Sequence, residues 1–415
     1  VINVCDAIMG AGKTSACIDM MNRNPHDKYI FITPYLEEAA RIKRACPALH
    51  FMEPSSKLPE YKFTKTEHVN ALIAEGRNIA TTHRAFLFYT DETVDLVRER
   101  GYTLVIDENV DVLESAEANP DDVELLVRGG YLIENNGMYT WSGKEYNGTL
   151  AKGIMRIARS RDMVRAEQAG ALRCEMFYWI LPPKLIEAFK DVYILTYLFT
   201  GQTLCHFLEM YSMYYEYIGI EMVGDEYRFC EYPGYTPEYT YDLQNRVHIL
   251  EDAKLNDIGN DYYALSMRWF KSNPDGVEQL KRNIYNFFRH KAEFIPPDQR
   301  MWGAHKKGKE QLKGKGYTKS FLTFNARAVN EYRHKTCLVY ALNVFMNVGE
   351  KTFFQNAGIY VDDDMYALST MIQWIWRSAI REGNDIYIYV PSSRMRSLLR
   401  EWIRSVSSGG VQYGY

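Results

Sequence analysis

The chain has 415 residues, 47% hydrophobic and 25% charged, an ordinary balance for a globular protein and too long for one ordinary core, so two domains with an insertion are expected. No apolar run reaches the ~20 residues of a membrane-spanning helix, which argues against a membrane role. A formal net charge of −4 excludes a globally basic coat for nucleic acid but leaves room for a local basic groove.

The seven cysteines (5, 17, 46, 174, 205, 230 and 337) form no C-x-x-C pair, so a disulfide framework or zinc site is not expected and the thiols fit a reducing cytoplasm. The chain opens almost directly on a motif, which leaves no room for a secretory leader in the expected reading.

In chain order, Ile2–Cys5 reads as a strand, followed by a glycine loop and a helix over Lys13–Asn22. Tyr29–Thr33 reads as a buried strand, Leu36–Ala45 as a helix, and Asn78–Thr81 and Thr103–Ile106 as further strands. Strands alternating with helices imply a parallel sheet covered on both faces. Gly130–Trp141 reads as a hairpin turning at Asn135-Asn136-Gly137. Ser142–Ala171 is polar and expected to be mostly helical. Glu175–Ile180, a helix opened by Pro182-Pro183, and Val192–Thr196 are expected to resume the β-α-β alternation.

The first domain is therefore placed at 1–200, with an insertion near 112–172. Nine of the 32 tyrosines fall between Tyr211 and Tyr241, and 201–245 is set apart as a Tyr-rich linker with a hairpin. Those rings either pack a small subdomain or stack bases. A second α/β domain is expected over 246–415. It contains an amphipathic helix (Gly276–His290), a strand near Ser320–Phe324, a helix at about 333–346, a helix over Leu368–Arg381, a strand at Asp385–Val390 and a final helix from Ser393. Asp362-Asp363-Asp364 is expected to be a solvated loop rather than a metal site.

Three stretches carry chemistry. Ala7-Ile8-Met9-Gly10-Ala11-Gly12-Lys13-Thr14 follows a strand and opens a helix, the context of a phosphate loop. Gly10 and Gly12 let backbone N–H groups face phosphate oxygens, and the helix start adds its positive dipole end. Met9, Gly10, Ala11, Gly12, Lys13, Thr14 and Ser15 are the candidate nucleotide cradle. Lys13 would reach the β- and γ-phosphates, and the Thr14 hydroxyl would bind Mg²⁺. Val105-Ile106-Asp107-Glu108 ends a strand in two carboxylates: Asp107 can hold Mg²⁺ and Glu108 can act as general base. Gln373, Arg377 and Arg381 are spaced i, i+4, i+8, which on one helix sends them from a common face across a cleft. A solvated cationic face is the plain alternative.

Together these stretches resemble superfamily-two helicases. Ala7–Thr14 matches motif one residue by residue, and Asp107-Glu108-Asn109-Val110 matches the Asp-Glu-x-x of motif two. Thr33-Pro34 resembles motif Ia, and Thr81-Thr82-His83 resembles motif Ib. Leu195-Thr196-Tyr197-Leu198 stands where motif three would lie, but only Thr196 fits. Gln373 and Arg377 fit motif six, with Trp376 in place of Gly and Arg381 one residue late. Asn325-Ala326-Arg327-Ala328-Val329-Asn330-Glu331-Tyr332-Arg333 is the candidate motif five. No adenine-reading glutamine motif is recognisable before the loop. The last two stretches look like helicase-type proteins encoded by bacteriophages.

The resemblance implies two RecA-like P-loop NTPase domains with ATP and Mg²⁺ between them, and catalytic roles for Lys13, Asp107, Glu108, Gln373, Arg377 and Arg381. It implies contacts to single-stranded or partly duplex nucleic acid through Thr33, Pro34, Thr82 and His83. Phage replication or recombination proteins would be further partners, in the host cytoplasm. The basic stretch from Arg300 to Lys319, with Lys306, Lys307 and Lys309 and with Trp302 and Tyr317 for stacking, is either a strand-binding groove or a solvated lysine loop. The expected function is an ATP-dependent helicase or translocase. The alternatives are a packaging-type motor ATPase, which would be expected to add a nuclease domain for which the expected reading leaves no room after the arginines, and a nucleic-acid-binding adaptor with weak turnover.

Overall fold

The structure is a computed structural model that describes residues 1–61, 64–149, 151–167, 175–234, 242–324 and 330–408. Two parallel α/β layers and a small antiparallel sheet make up the described chain.

The first sheet is built on β1 (Ile2–Asp6), β2 (Tyr29–Thr33), β3 (Ile79–Thr82) and β4 (Thr103–Asp107). After β4 the chain leaves it to form β5 (Leu113–Ala116), β6 (Leu132–Asn135), β7 (Met138–Trp141), β8 (Asp162–Glu167) and β9 (Glu175–Ile180). These pair antiparallel in the order β5-β9-β8-β7-β6. The chain returns in β10 (Asp191–Thr196), then β11 (Tyr215–Val223) and β12 (Glu226–Glu231). The first sheet runs β12-β11-β1-β10-β4-β2-β3.

Its central strands alternate between two cores. Val4, Ile30, Ile32, Leu104, Ile106 and Ile194 face one side; Cys5, Phe31, Val105 and Leu195 face the other. Burial on both faces explains why these strands read as unbroken apolar runs. All carboxyl ends point the same way, so the loops after β1, β2, β4 and β10 converge on one edge.

Three expectations change here. β11 pairs in parallel with β1, so the Tyr-rich hairpin is the edge of the first sheet rather than a linker. β9 joins the inserted sheet and not the β-α-β series. Within Ser142–Ala171 the described helix is only Lys152–Ala158, and β8 follows it. Pairing with β9, and the burial of Met163, Val164 and Ala166, override the polar composition of β8.

The second sheet contains β13 (Val247–Ile249), β14 (Arg300–Ala304), β15 (Cys337–Ala341) and β16 (Ile386–Tyr389), all parallel, in the order β13-β16-β15-β14. The helix expected at about 333–346 is instead β15, an interior strand buried at every residue. A short apolar run buried on both faces has no period of two to mark it as a strand. The basic stretch begins with β14. The strand expected near Ser320–Phe324 reduces to a single bridge between Trp302 and Phe321, after a 3-10 turn at Thr318–Ser320. Asp362-Asp363-Asp364 is not a solvated loop. Asp362 caps the helix Asp363–Ile375, Asp363 pairs with Lys351, and Asp364 lies 2.7 Å from Arg394. Residues 325–329 of the candidate motif five lie outside the described residues.

Candidate functional site between the two domains

The glycine loop leaves β1 and closes on itself, with the Ala11 N–H donating to the Ile8 carbonyl at 3.2 Å. Gly10 and Gly12 have φ of 89° and 92°, a region that costs a residue with a Cβ. Gly12 is also the N-cap of helix Lys13–Arg23. The Gly10 Cα faces open space, whereas a Cβ on Gly12 would collide with the Tyr227 ring. So a tyrosine of the Tyr-rich hairpin braces the phosphate loop, a contact no local motif announces.

The Lys13 ammonium folds back onto the loop. It donates to the carbonyl of Ala7 and, at 3.1 Å, to that of Ile8. Burial holds its pKa below the ordinary value, against the pull of Cys5, Asp6, Asp107 and Glu108. The Thr14 hydroxyl lies 3.3 Å from Asp107 Oδ1. Burial, with Glu108 next to it, pushes the Asp107 carboxyl up to about 7; Lys13 and Thr14 act the other way. A half-buried carboxylate beside a hydroxyl is a donor pair suited to a hard divalent cation.

Glu108 follows at φ 64°, a left-handed backbone uncommon for a residue with a side chain. Its N–H donates to the Leu195 carbonyl at 3.0 Å. Its Oε1 lies 4.0 Å from the Arg377 guanidinium, while its Oε2 is buried and accepts no hydrogen bond. An acceptor without a donor inside a cavity is the arrangement a general base needs before a water arrives.

A cavity of about 290 Å³ unites these groups. Met9, Gly10, Gly12, Lys13, Thr14 and Ser15 line it from the loop and its helix, Asp107 and Glu108 from β4, and Gln373, Arg377 and Arg381 from the second domain. Ala11 is the exception: it packs against the second-domain core. Glycines of positive φ, a helix N-terminus, a lysine and arginines facing one space fit a polyphosphate.

The arginines arrive by a different route from the one their spacing implies. The helix that carries Gln373 ends at Ile375 and is capped by Trp376. The Ser378 hydroxyl donates to the Ile375 carbonyl at 2.6 Å, and the Ala379 N–H turns to the Lys335 carbonyl at 2.9 Å. Arg377 therefore sits in a turn and Arg381 in the 3-10 helix Ala379–Glu382, so no single helix face presents all three. Arg377 is buried and Arg381 exposed.

The residues expected at nucleic acid scatter. Thr33 is fully buried and lines the same cavity, as does Pro34. Pro34 also lines a neighbouring interdomain cavity of about 620 Å³, shared with His83, Glu108 and Gln373. The Thr82 hydroxyl accepts from the Ala85 N–H at 3.3 Å as a helix cap. His83 is buried, with Nε2 2.9 Å from the Asp107 carbonyl, so it braces the end of β4. Lys306, Lys307 and Lys309 are exposed on the helix Lys306–Leu312 and line neither interdomain cavity. Trp302 and Tyr317 cannot stack bases: both are buried, and the indole N–H of Trp302 donates to the Tyr317 carbonyl at 2.8 Å. Sequence reasoning did not find Glu38 and Arg41, which line the cavity from helix Leu36–Ala45 one turn apart, and it met Tyr197, at the end of β10, only as a departure from motif three. The i, i+3 spacing of Glu38 and Arg41 after Thr33-Pro34 was the available signal.

Two largely parallel α/β sheets facing each other across a glycine loop define the class: a protein of two RecA-like α/β domains with an inserted sheet. The chain belongs to the YonV family. It is 37% identical over 414 residues to the SPbeta prophage-derived protein YonV of Bacillus subtilis (strain 168), a match covering 97% of this chain and 99% of that one. Residues 241–403 match the YonV C-terminal Rossmann-like domain. Similar solved structures include apo XPD, at 11% identity and TM-score 0.49 over 99% of this chain and 96% of that one. Xpd4 of S. tokodaii is similar at 13% identity and TM-score 0.47, over 96% and 93%. The DUF1998 helicase MrfA bound to DNA matches at 10% identity and TM-score 0.32, over 99% and 47%. Among the described residues no helix is long and apolar enough to cross a membrane.

Proposed function

We propose that this protein is an ATP-dependent helicase or translocase that hydrolyses ATP in the interdomain cavity and works on single-stranded or partly duplex nucleic acid. The observation that carries this reading is the shared cavity. Lys13, Thr14, Asp107 and Glu108 from one domain face Arg377 and Arg381 from the other across about 290 Å³.

Thr14 and Asp107 would hold Mg²⁺, which supplies charge neutralisation between the phosphates when bound. The backbone N–H groups of Gly10 to Lys13 orient the phosphates, and Lys13 leaves the Ala7 and Ile8 carbonyls to meet them. Glu108 accepts a proton from the attacking water at its unengaged Oε2. Arg377, held 4.0 Å from Glu108, stabilises charge on the transferred phosphoryl group, with Arg381 behind it. Because the arginines and the loop belong to different domains, hydrolysis changes what holds the domains together. That differential contact is what drives closure and opening along a strand. The prophage origin of the relative fits work in a bacterial host cytoplasm beside phage replication or recombination proteins.

The test is steady-state ATP hydrolysis with and without single-stranded DNA and RNA, with Lys13→Ala as control. Stimulation by one polymer supports the motor and names its track. Lys13-dependent hydrolysis that ignores both removes the helicase reading and leaves the NTPase.

A further inference from the structure

The end of β10 departs from the helicase pattern, yet it is tightly tied to the phosphate loop. Asp6, the residue before the loop, spends both carboxylate oxygens there: Oδ1 accepts the Leu198 N–H at 2.8 Å and Oδ2 the Phe199 N–H at 2.9 Å. The Ala7 N–H donates to the Thr196 carbonyl at 3.1 Å. Gln202 Nε2 donates to the Thr196 hydroxyl at 2.6 Å and the Tyr197 carbonyl at 2.9 Å. Loop and strand end are therefore one rigid unit.

Leu198 takes φ 56°, and the side chains of Tyr197 and Leu198 join the core of the second domain. Tyr197 Oη accepts a hydrogen bond from Trp402 Nε1 at 2.9 Å, with both side chains buried. The two rings meet edge-on at 6.4 Å, and Trp402 meets Trp376 edge-on at 5.5 Å. Trp376 is the cap residue that immediately precedes Arg377. At Gly201, three residues beyond Leu198, a Cβ would lie 2.6 Å from the Met365 carbonyl oxygen, so the same segment touches the backbone of the helix that carries Gln373.

We propose that Tyr197, Trp402 and Trp376 are positioning residues: a buried aromatic relay across the domain interface that sets Arg377 against the phosphate loop. Aromatic packing alone lets one domain slide on the other. A buried N–H···O bond at 2.9 Å fixes a single register and is costly to leave half made. The relay runs from the first residue of the phosphate loop to the arginine without passing through a ligand, so it sets the geometry of the cavity before phosphate binds. The deviation from motif three is, in this account, the replacement of a short polar motif by a tyrosine long enough to reach the other domain.

The inference rests on the hydrolytic reading above, and the experiment separates the two. Tyr197→Phe and Trp402→Phe keep most of the ring packing and delete the hydrogen bond from either side. Each is expected to lower kcat about 10-fold with KM for ATP held within about twofold, and the double variant is expected to be no worse than either single one. In an Arg377→Ala background, Tyr197→Phe is expected to cost nothing further, because the relay acts through that arginine. Unchanged kcat in Tyr197→Phe, additive losses in the double variant, or a further loss in the Arg377→Ala background overturns the relay while leaving the hydrolase intact. A lowered melting temperature with kcat preserved assigns the pair to packing alone and also overturns it. A wild-type protein that hydrolyses ATP no faster than Lys13→Ala overturns both readings.

Discussion

On the first-domain side of the cavity, the loop follows a five-residue strand, turns on two glycines of positive φ and runs straight into a helix. On the second-domain side, Arg377 and Arg381 lie past the end of their helix, in a turn held by Ser378 and by the carbonyl of Lys335, a residue far away in sequence. The first wall is specified by neighbours in the chain. The second is specified by what the chain packs against. Functional residues of the first kind declare both identity and geometry in the sequence, whereas those of the second kind declare identity alone. The two walls should therefore fail differently when changed.

The largest effect is expected at the locally specified wall. In the proposed mechanism Lys13→Ala should lower kcat by at least ~10³-fold, because it removes the cation that would meet the phosphates. By the same proposal Arg377→Ala should cost about 10³-fold in kcat while nucleotide binding survives, since the loop would hold the phosphates in the ground state without it. A fluorescent nucleotide titration beside a turnover assay separates the two. If Arg377→Ala abolishes binding instead, the division between a binding wall and a catalytic wall collapses.

The glycine loop, the Asp107-Glu108 pair and the arginines, all picked out in the sequence, line one cavity in the fold. The sequence also revealed most central strands, because each motif is contiguous and the strands at the middle of the first sheet are apolar runs between turn residues. It did not reveal the geometry of Arg377, because helical spacing continues in the sequence past the point where Ser378 ends the helix in space. Nor did it reveal β15: Cys337–Ala341 has the same apolar density as a buried helix, and only its neighbours β14 and β16 make it a strand. Trp302 and Tyr317 looked like stacking platforms because interleaving with lysines says nothing about burial.

Tyr227 sharpens the comparison, because it braces the locally specified wall from a distant hairpin, through ring contact rather than hydrogen bonds. Tyr227→Ala should raise KM for ATP by roughly 10-fold with a smaller change in kcat, as the loop loses its backing and samples other conformations. An unchanged KM would show that the loop is self-sufficient and that the hairpin only completes the sheet edge.

A smaller effect is expected from the lysines that the fold leaves outside both cavities. Reversing Lys306, Lys307 and Lys309 together should weaken single-strand binding without touching basal hydrolysis. If all three meet phosphates, the slope of log affinity against log salt should shrink by roughly 2. Lys309 already lies 4.9 Å from the Phe321 ring centre, so a smaller change is consistent with two of the three reaching a strand. An unaltered slope removes this helix from the nucleic-acid path.

The smallest effect concerns a further contact between the two halves, where the inserted sheet meets the second domain. Tyr178 Oη donates to Asn347 Oδ1 at 3.1 Å, and a Cβ on Gly349 would collide with that tyrosine, so the helix Val348–Asn356 is pressed against β9. Burial there, with Asp111 facing it, pushes the Glu350 carboxyl from 4.5 up to about 7. The sign follows from proton uptake. Between about 4.5 and 7 the folded protein holds a proton on Glu350 that the unfolded chain has lost, so stability from this group falls as pH rises through that window and stays reduced above it. Glu350→Gln, which never ionises, should therefore melt about 1 °C higher than wild type at pH 8 and closer to wild type at pH 5, the shift of a roughly 1 kcal/mol change in a chain of this length. Equal melting temperatures at both pH values would show that the insertion and the second domain part before the rest of the protein unfolds. That result would set this contact against the Tyr197–Trp402 interface, as a joint that opens rather than one that transmits.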